Sequence, residues 1–135
     1  MQERISFAWL IAAARLRKRC VDLVSKAGFT LQEIAILGCL AENGPTNHNA
    51  LANRVGIDKA ALVPLARGLF GASLVEVDYE EPDRRGTQWS LMSDGRDSLA
   101  DINARLDQLE GELFSSLSDE ERQVLRKVVA RLLRC

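Results

Sequence analysis

Apolar residues recur every three or four positions through much of the chain, which is the spacing of a helix that buries one face. On the first segment the apolar stripe consists of Ile5, Trp9, Ala12, Leu16, Cys20 and Leu23. A second segment, TLQEIAILGCLAEN, opens with Thr30 and Glu33 at the spacing of a capping box and stops at Gly44-Pro45. The pattern therefore predicts a long first helix that ends at Gly28 and a second helix that begins after Thr30.

Two shorter helices are predicted next, separated by a tight turn. Asn47 can cap the third helix, NHNALANRV, and Asp58 can cap a fourth that runs from Lys59 to about Phe70. The turn between them is Gly56-Ile57-Asp58. Two helices joined by a short glycine-containing turn are typical of a helix-turn-helix.

The period changes from helical to alternating after the fourth helix. Residues 74–79 and 87–91 alternate in polarity, which predicts two short strands. The segment between them, EEPDRRG, is charged and contains Pro82 and Gly86, as expected for the tip of a hairpin. A hairpin that follows a helix-turn-helix predicts a winged helix-turn-helix.

Helical spacing returns after Ser93. Ser118 and Glu121 form a second capping-box pattern, which separates a fifth helix from a sixth. The apolar stripe of the fifth helix is Leu99, Ile102, Leu106, Leu109 and Leu113, and that of the sixth is Val124, Leu125, Val128, Val129, Leu132 and Leu133. The predicted fold class is mainly α with a small β-hairpin wing, and the apolar terminal helices are expected to pair in a homodimer.

Length and composition fit one globular domain, since the 135 residues are 47% hydrophobic and 27% charged. No apolar run approaches the roughly 20 residues that span a bilayer. The apolar stretch near the start continues through arginines as a helix, unlike a signal sequence with its cleavage site. We therefore expect a cytoplasmic protein without membrane contact. One histidine and three widely spaced cysteines form neither a zinc pattern nor a nucleophile–base pair, so no metal, cofactor or enzyme activity is expected.

Two segments resemble the MarR family of transcription regulators, and the resemblance extends over nearly the whole chain. GPTNHNALANRVGIDKAAL is similar to that family's helix-turn-helix, and LVEVDYEEPDRRGTQWSLMSDGR is similar to its wing. The pair Asp83 and Arg85 is the most specific signal. The resemblance implies a single MarR-type domain over residues 1–135. In it, residues 30–92 form a winged helix-turn-helix lobe, and residues 1–27 and 93–135 form the dimerisation helices.

The resemblance also implies which residues contact double-stranded DNA. The fourth helix would enter the major groove, and the wing would reach the adjacent minor groove. The implied contacts are Asn47, His48, Asn49, Lys59, Ala60, Ala61, Val63, Arg67, Arg84 and Arg85. Asp83 would hold the guanidinium of Arg85 through a charge-assisted hydrogen bond.

The composition of this DNA site leaves a second interpretation open. Ala60, Ala61 and Val63 can contact thymine methyl groups but cannot form bidentate contacts with bases, and Pro64 should bend the helix. Residues 44–85 carry five basic and six acidic groups, although affinity for DNA depends heavily on phosphate neutralisation. The alternative is a protein-interaction module that keeps the fold but has lost or weakened its binding to DNA.

The resemblance further implies a small aromatic effector near the junction of the dimer layer and the DNA-binding lobe. Trp9 and Leu16 are the candidate contacts, although aromatic residues at helical spacing more often belong to a core. One branch of the family responds to oxidants through a first-helix cysteine, but the equivalent position here is Ser6. Cys20 lies on the apolar stripe, which favours packing, while the basic residues at 17–19 would activate its thiol if it were exposed.

Overall fold

The computed structural model describes residues 4–78 and 87–134, which form six α-helices and a small antiparallel sheet. The helices are α1 (Ile5–Lys26), α2 (Leu31–Asn43), α3 (His48–Val55), α4 (Lys59–Gly71), α5 (Ser93–Leu113) and α6 (Asp119–Leu133). The strands are β1 (Thr46–Asn47), β2 (Val75–Asp78) and β3 (Gln88–Leu91). This order confirms the mainly α, winged helix-turn-helix fold predicted from the sequence.

Local side-chain hydrogen bonds set the beginnings of three helices. At α2 the Thr30 hydroxyl accepts a hydrogen bond from the backbone N–H of Glu33 at 3.1 Å, and the Glu33 carboxylate accepts one from the N–H of Thr30 at 2.9 Å. The second predicted capping box is present at α6, and the Asn47 side chain caps α3. These contacts satisfy donors that have no partner within the first turn of a helix. Asp58 occupies the cap position of α4, but its side chain makes no capping hydrogen bond.

The wing contains one strand more than the sequence predicts. β3 lies between β1 and β2, and both pairs are antiparallel. In the added pair, Thr46 is opposite Trp89 and Asn47 is opposite Gln88. The sheet therefore connects the residues just before α3 to the wing.

The core lies beneath the helix-turn-helix. Its aliphatic side chains come mainly from α2, α3 and α4, and Val75 and Trp89 of the wing complete it. The largest fully buried members are Ile36, Leu37, Leu40, Leu51, Leu62 and Leu69. Because burial of one such side chain stabilises a fold by about 1.5–3 kcal/mol, this cluster is a major source of stability for the winged helix-turn-helix lobe.

The terminal helices are covered much less. Val24 is the buried residue of α1, and α6 has none among the residues that the structure describes. Exposed large apolar side chains on the two helices are Ile5, Phe7, Trp9, Leu10, Ile11, Val124, Val128, Leu132 and Leu133. The apolar stripes predicted for these helices are therefore left largely open by a single chain.

No single helix in the described ranges is both long and apolar enough to cross a membrane. α1 and α2 meet that criterion only when they are taken together, and the chain bends by 81° between them.

Gly95 lies where the first turn of α5 meets the wing. It is buried, and a methyl group on its Cα would overlap the backbone carbonyl oxygen of Leu74 and crowd the side chain of Leu91. The same carbonyl accepts a hydrogen bond from the N–H of Met92 at 3.0 Å. The missing side chain therefore permits the close approach of α5 to the residue that precedes β2.

Replacing Gly95 with alanine is expected to lower the free energy of unfolding by about 1–3 kcal/mol, because the backbone must shift to admit the methyl group. Denaturant titration followed by circular dichroism measures this change. Gly111→Ala on the same helix is the matched control, since nothing lies within 4 Å of its added methyl group. The control should be neutral or more stable by about 0.5–1 kcal/mol. Equal losses in the two variants would contradict the role assigned to Gly95.

Candidate nucleic-acid interface

The turn between α3 and α4 depends on a glycine in the left-handed region. Gly56 has φ 70° and ψ 33°, and its N–H donates to the carbonyl of Ala52. The N–H of Ile57 donates to the same carbonyl at 3.0 Å. Residues with a Cβ rarely adopt this backbone conformation. The predicted tight turn is therefore confirmed, and it directs the chain into α4.

α4 has one buried face and one exposed face. Leu62 is 0% exposed, and Ala66 and Leu69 are each 1% exposed. The predicted DNA contacts are accessible: Ala60, Ala61 and Arg67 are exposed, Val63 is partly exposed, and Lys59 is exposed at the first position of the helix. The structure thus presents all five predicted positions of this helix, at least in part, to solvent.

Pro64 lies inside α4 without ending it. It is exposed, so the backbone carbonyl four residues earlier, which a proline leaves without its helical donor, can be hydrated. The proline is therefore tolerated on the solvent side of the helix.

The basic side chains of α3 and α4 are available to a ligand. Arg54, Lys59 and Arg67 are exposed, and no salt bridge within residues 4–78 and 87–134 engages any of them. Guanidinium and ammonium groups in this state can bind phosphate oxygens. Asp58 is the acidic residue of the same segment, so the described helix-turn-helix has more basic than acidic groups around the turn.

The predicted residues of the wing tip, Asp83, Arg84 and Arg85, lie outside the described residues. The ion pair and the DNA contacts predicted for them remain predictions. The base of the wing is described, and there Asp78 of β2 is opposite Gln88 of β3.

The two asparagines at the start of α3 differ in what their side chains do. Both are exposed. The carbonyl oxygen of the Asn47 side chain accepts a hydrogen bond from the N–H of Ala50 at 2.8 Å, so its amide N–H₂ group is the part left for a phosphate contact. Asn49 has no such capping role in the described part of the chain.

His48, which the sequence suggests as a phosphate contact, is instead bonded within the protein. Its Nδ1 accepts a hydrogen bond from the indole N–H of Trp89 at 3.2 Å, and its Nε2 lies 3.1 Å from the backbone carbonyl of Lys59. Its backbone N–H donates to the carbonyl of Thr87 at 3.0 Å. A contact between the ring and phosphate would have to replace one of these bonds. The sequence pattern does not predict the hydrogen bond between Trp89 and His48, although a buried tryptophan does require an acceptor for its indole N–H.

A groove of about 700 Å³ lies between α1 and the facing parts of α5 and α6. Trp9 and Leu16, the predicted effector contacts, both line it. The rest of its lining includes apolar Leu113, Phe114, Leu125 and Val129, and basic Arg15, Lys18 and Arg19. The two candidate residues therefore share one concave surface that combines apolar walls with basic groups, of which Arg19 lies 3.8 Å from the carboxylate of Glu112.

Cys20 is half-buried on α1. Burial raises the pKa of its thiol, and the carboxylate of Glu110 raises it further. A raised pKa leaves less of the reactive thiolate, so this environment favours packing over redox chemistry. Within the described ranges no three His, Cys, Asp or Glu residues are grouped closely enough to hold a metal ion.

Residues 29–87, which include α2, α3, α4 and β2 but end before β3, match the sequence model of the MarR family. The Bacillus subtilis (strain 168) protein described as uncharacterized HTH-type transcriptional regulator YhjH is 27% identical over 81 residues. Those residues cover 60% of this chain and 46% of YhjH, so the chain matches about half the length of that relative.

Solved structures share the fold beyond this lobe. A structure that explains how 6-hydroxynicotinic acid regulates DNA binding by Bordetella bronchiseptica BpsR has a TM-score of 0.85 at 18% identity, over 100% of this chain and 96% of that one. NadR in complex with 4-hydroxyphenylacetate has a TM-score of 0.80 at 25% identity, over 96% of this chain and 92% of that one. The terminal helices are therefore included in the shared arrangement.

Proposed function

We propose that this chain is a winged helix-turn-helix protein of the MarR type and that it regulates transcription by binding double-stranded DNA as a homodimer. The observation that carries the proposal is the solvent-exposed face of α4. The other face of this helix packs into the buried core, and its first residue is linked through His48 to Trp89 of the wing. BpsR, whose fold covers the whole chain, is a DNA-binding protein. We propose no catalytic role for the chain.

α4 is the element suited to the major groove, because recognition helices contact bases with their N-terminal half. Lys59 and Arg67 would neutralise phosphates. Ala60, Ala61 and Val63 would pack against thymine methyl groups. Binding of this kind is strongly salt-dependent and discriminates bases mainly by shape and apolar contact.

Lys59→Ala and Arg67→Ala are each expected to weaken binding to all DNA sequences and to reduce the slope of log K against log salt by about one. Fluorescence anisotropy with duplexes from upstream of the protein's own gene and with random duplexes, over a series of salt concentrations, measures both effects. Lys127→Ala on α6 removes the same charge outside the lobe and should leave the slope unchanged. Absence of any binding by the wild type at low salt would overturn the proposal in favour of a protein-interaction module.

The homodimer is supported by the apolar surface that one chain leaves uncovered. α6 has no buried residue among those described, yet Val124, Val128 and Leu132 form a row at four-residue spacing and are 59%, 37% and 53% exposed. Helices gain most of their stability from packing an apolar face. A second copy of the chain offers the same row about a two-fold axis, which is the usual symmetry of soluble dimers.

Val128→Glu is expected to convert the dimer to a monomer, because a carboxylate buried without a partner costs several kcal/mol. Sedimentation equilibrium should give the wild type about twice the mass of one chain and the variant the mass of one. Gln123→Glu adds the same charge at an exposed polar position of α6 and should remain dimeric. A monomeric wild type would refute the homodimer but would leave the proposed role of α4 in DNA binding unaffected.

We extend the proposal to a small aromatic carboxylate as effector. The groove beside Trp9 and Leu16 combines apolar walls with three basic side chains, which suits a ring that carries a negative charge. The ligands of BpsR and NadR, 6-hydroxynicotinic acid and 4-hydroxyphenylacetate, are both hydroxylated aromatic carboxylic acids. A ligand held there would contact three helices and could change how they pack.

Calorimetric titration with 4-hydroxyphenylacetate is expected to show binding, and the neutral amide of the same compound should bind more weakly because it lacks the charge that the basic groups attract. Leu16→Glu places a negative charge in the groove and should abolish binding. Gln123→Glu again serves as the control of equal charge and should bind as the wild type does. Equal affinity for acid and amide would contradict the assignment of a carboxylate.

A further inference from the structure

The ring of His48 joins three elements of the DNA-binding lobe. His48 is the first residue of α3, the carbonyl that it contacts belongs to Lys59, the first residue of α4, and Trp89 lies in β3. Trp89 is only 5% exposed and is part of the core. The ring therefore connects the start of the proposed recognition helix to the buried part of the wing.

The two hydrogen bonds are compatible with only one state of the ring. An indole N–H can only donate, so Nδ1 must carry a lone pair, and a carbonyl can only accept, so Nε2 must carry the proton. This is a neutral imidazole with the proton on Nε2. Protonation would add a hydrogen to Nδ1. This N–H would face the indole N–H of Trp89, and the hydrogen bond between the two rings would be lost.

We propose that His48 is a positioning residue that holds the start of α4 against the wing, and that protonation of its ring loosens α4 and weakens DNA binding as the pH falls. The part of this inference that concerns DNA rests on the proposed function. The part that concerns the ring and Trp89 belongs to the free protein. His48 acts on DNA through Lys59 and the residues that follow it, not by contact.

Other charged groups lie on the elements around the ring. They are Arg54 on α3, Asp58 at the cap of α4, Lys59 and Arg67 on α4, and Glu76 and Asp78 on β2, whereas β1 and β3 carry none. A variant that lacks only the ring keeps all of these groups, so its comparison with the wild type isolates the effect of His48. His48 is the single histidine of the chain, so a histidine transition can be assigned to it.

A direct contact between His48 and phosphate would produce the opposite pH dependence. A protonated imidazole attracts phosphate, so acidification would then strengthen DNA binding. The sign of the pH effect consequently separates the positioning role from the contact suggested by the sequence.

The DNA part is tested by anisotropy at constant ionic strength, near pH 8 and near pH 5.5, with wild type and His48→Gln. The glutamine side chain does not titrate, so the variant reports every other effect of pH on protein and DNA. The affinity of the wild type for DNA is expected to fall by about threefold to tenfold more than that of the variant when the pH is lowered. This is the effect expected from the loss of one hydrogen bond. An equal pH dependence in the two proteins, or a relative gain by the wild type, would overturn the proposal.

The free protein supplies a test that needs neither DNA nor a variant at position 48. The indole N–H resonance of Trp89, assigned by its retention in Trp9→Phe, should shift in a single transition between about pH 8 and pH 5.5 as its acceptor is lost. A resonance that does not move over this range would overturn the link. If the resonance titrates but the wild type binds no DNA near pH 8, the proposed function fails while the pH-sensitive link stands.

Discussion

Burial of one face of α4 is the constraint on which the candidate interface depends. Leu62, Ala66 and Leu69 recur at helical spacing and are almost completely enclosed by the lobe. Rotation of the helix about its axis would expose all three, at about 1.5–3 kcal/mol for each large side chain. The opposite face is therefore held in solvent with Ala60 and Arg67 on it, while Lys59 is exposed at the first position of the helix. The choice of residues that can meet DNA follows from packing inside the protein rather than from any property of the exposed residues themselves.

The terminal helices follow the same physics with the opposite result. The lobe encloses its own apolar side chains, whereas α1 and α6 leave theirs open, so the chain divides into a part that packs by itself and a part whose apolar surface a single chain does not cover. The two parts meet at Gly95, where α5 touches the residue before β2 without an intervening side chain. Such a close backbone contact leaves little room for independent movement. A shift of the first turn of α5 would therefore displace the backbone that leads into β2.

Sequence patterns predict most of the local interactions. The caps at Thr30 and Asn47 and the tight turn at Gly56 depend on residues close in sequence and are all present, whereas the side chain of Asp58, at another predicted cap, makes no capping hydrogen bond. The strand β1 was missed because two residues have no readable period and acquire their conformation from β3, about forty positions later. The link from His48 to Trp89 was missed for the same reason, since 41 positions separate the two residues. Residues 79–86 lie outside the described ranges, so the contacts predicted for Asp83, Arg84 and Arg85 remain predictions.

The apolar character of α4 and the internal bonding of His48 have a joint consequence. A recognition helix with long polar side chains can adjust several rotatable bonds to keep its contacts with bases when the helix moves slightly. Ala60 and Ala61 have no such freedom, and Val63 strongly prefers one rotamer in a helix, so any contact that they make with bases would require the backbone of α4 to lie at the right depth in the groove. Dispersion contacts weaken sharply once a gap of about 0.5–1 Å opens. A helix that reads DNA with short side chains must therefore be positioned more accurately than one that reads with long ones, and a bond between a ring in α3 and the first carbonyl of α4 provides that accuracy where the helix begins.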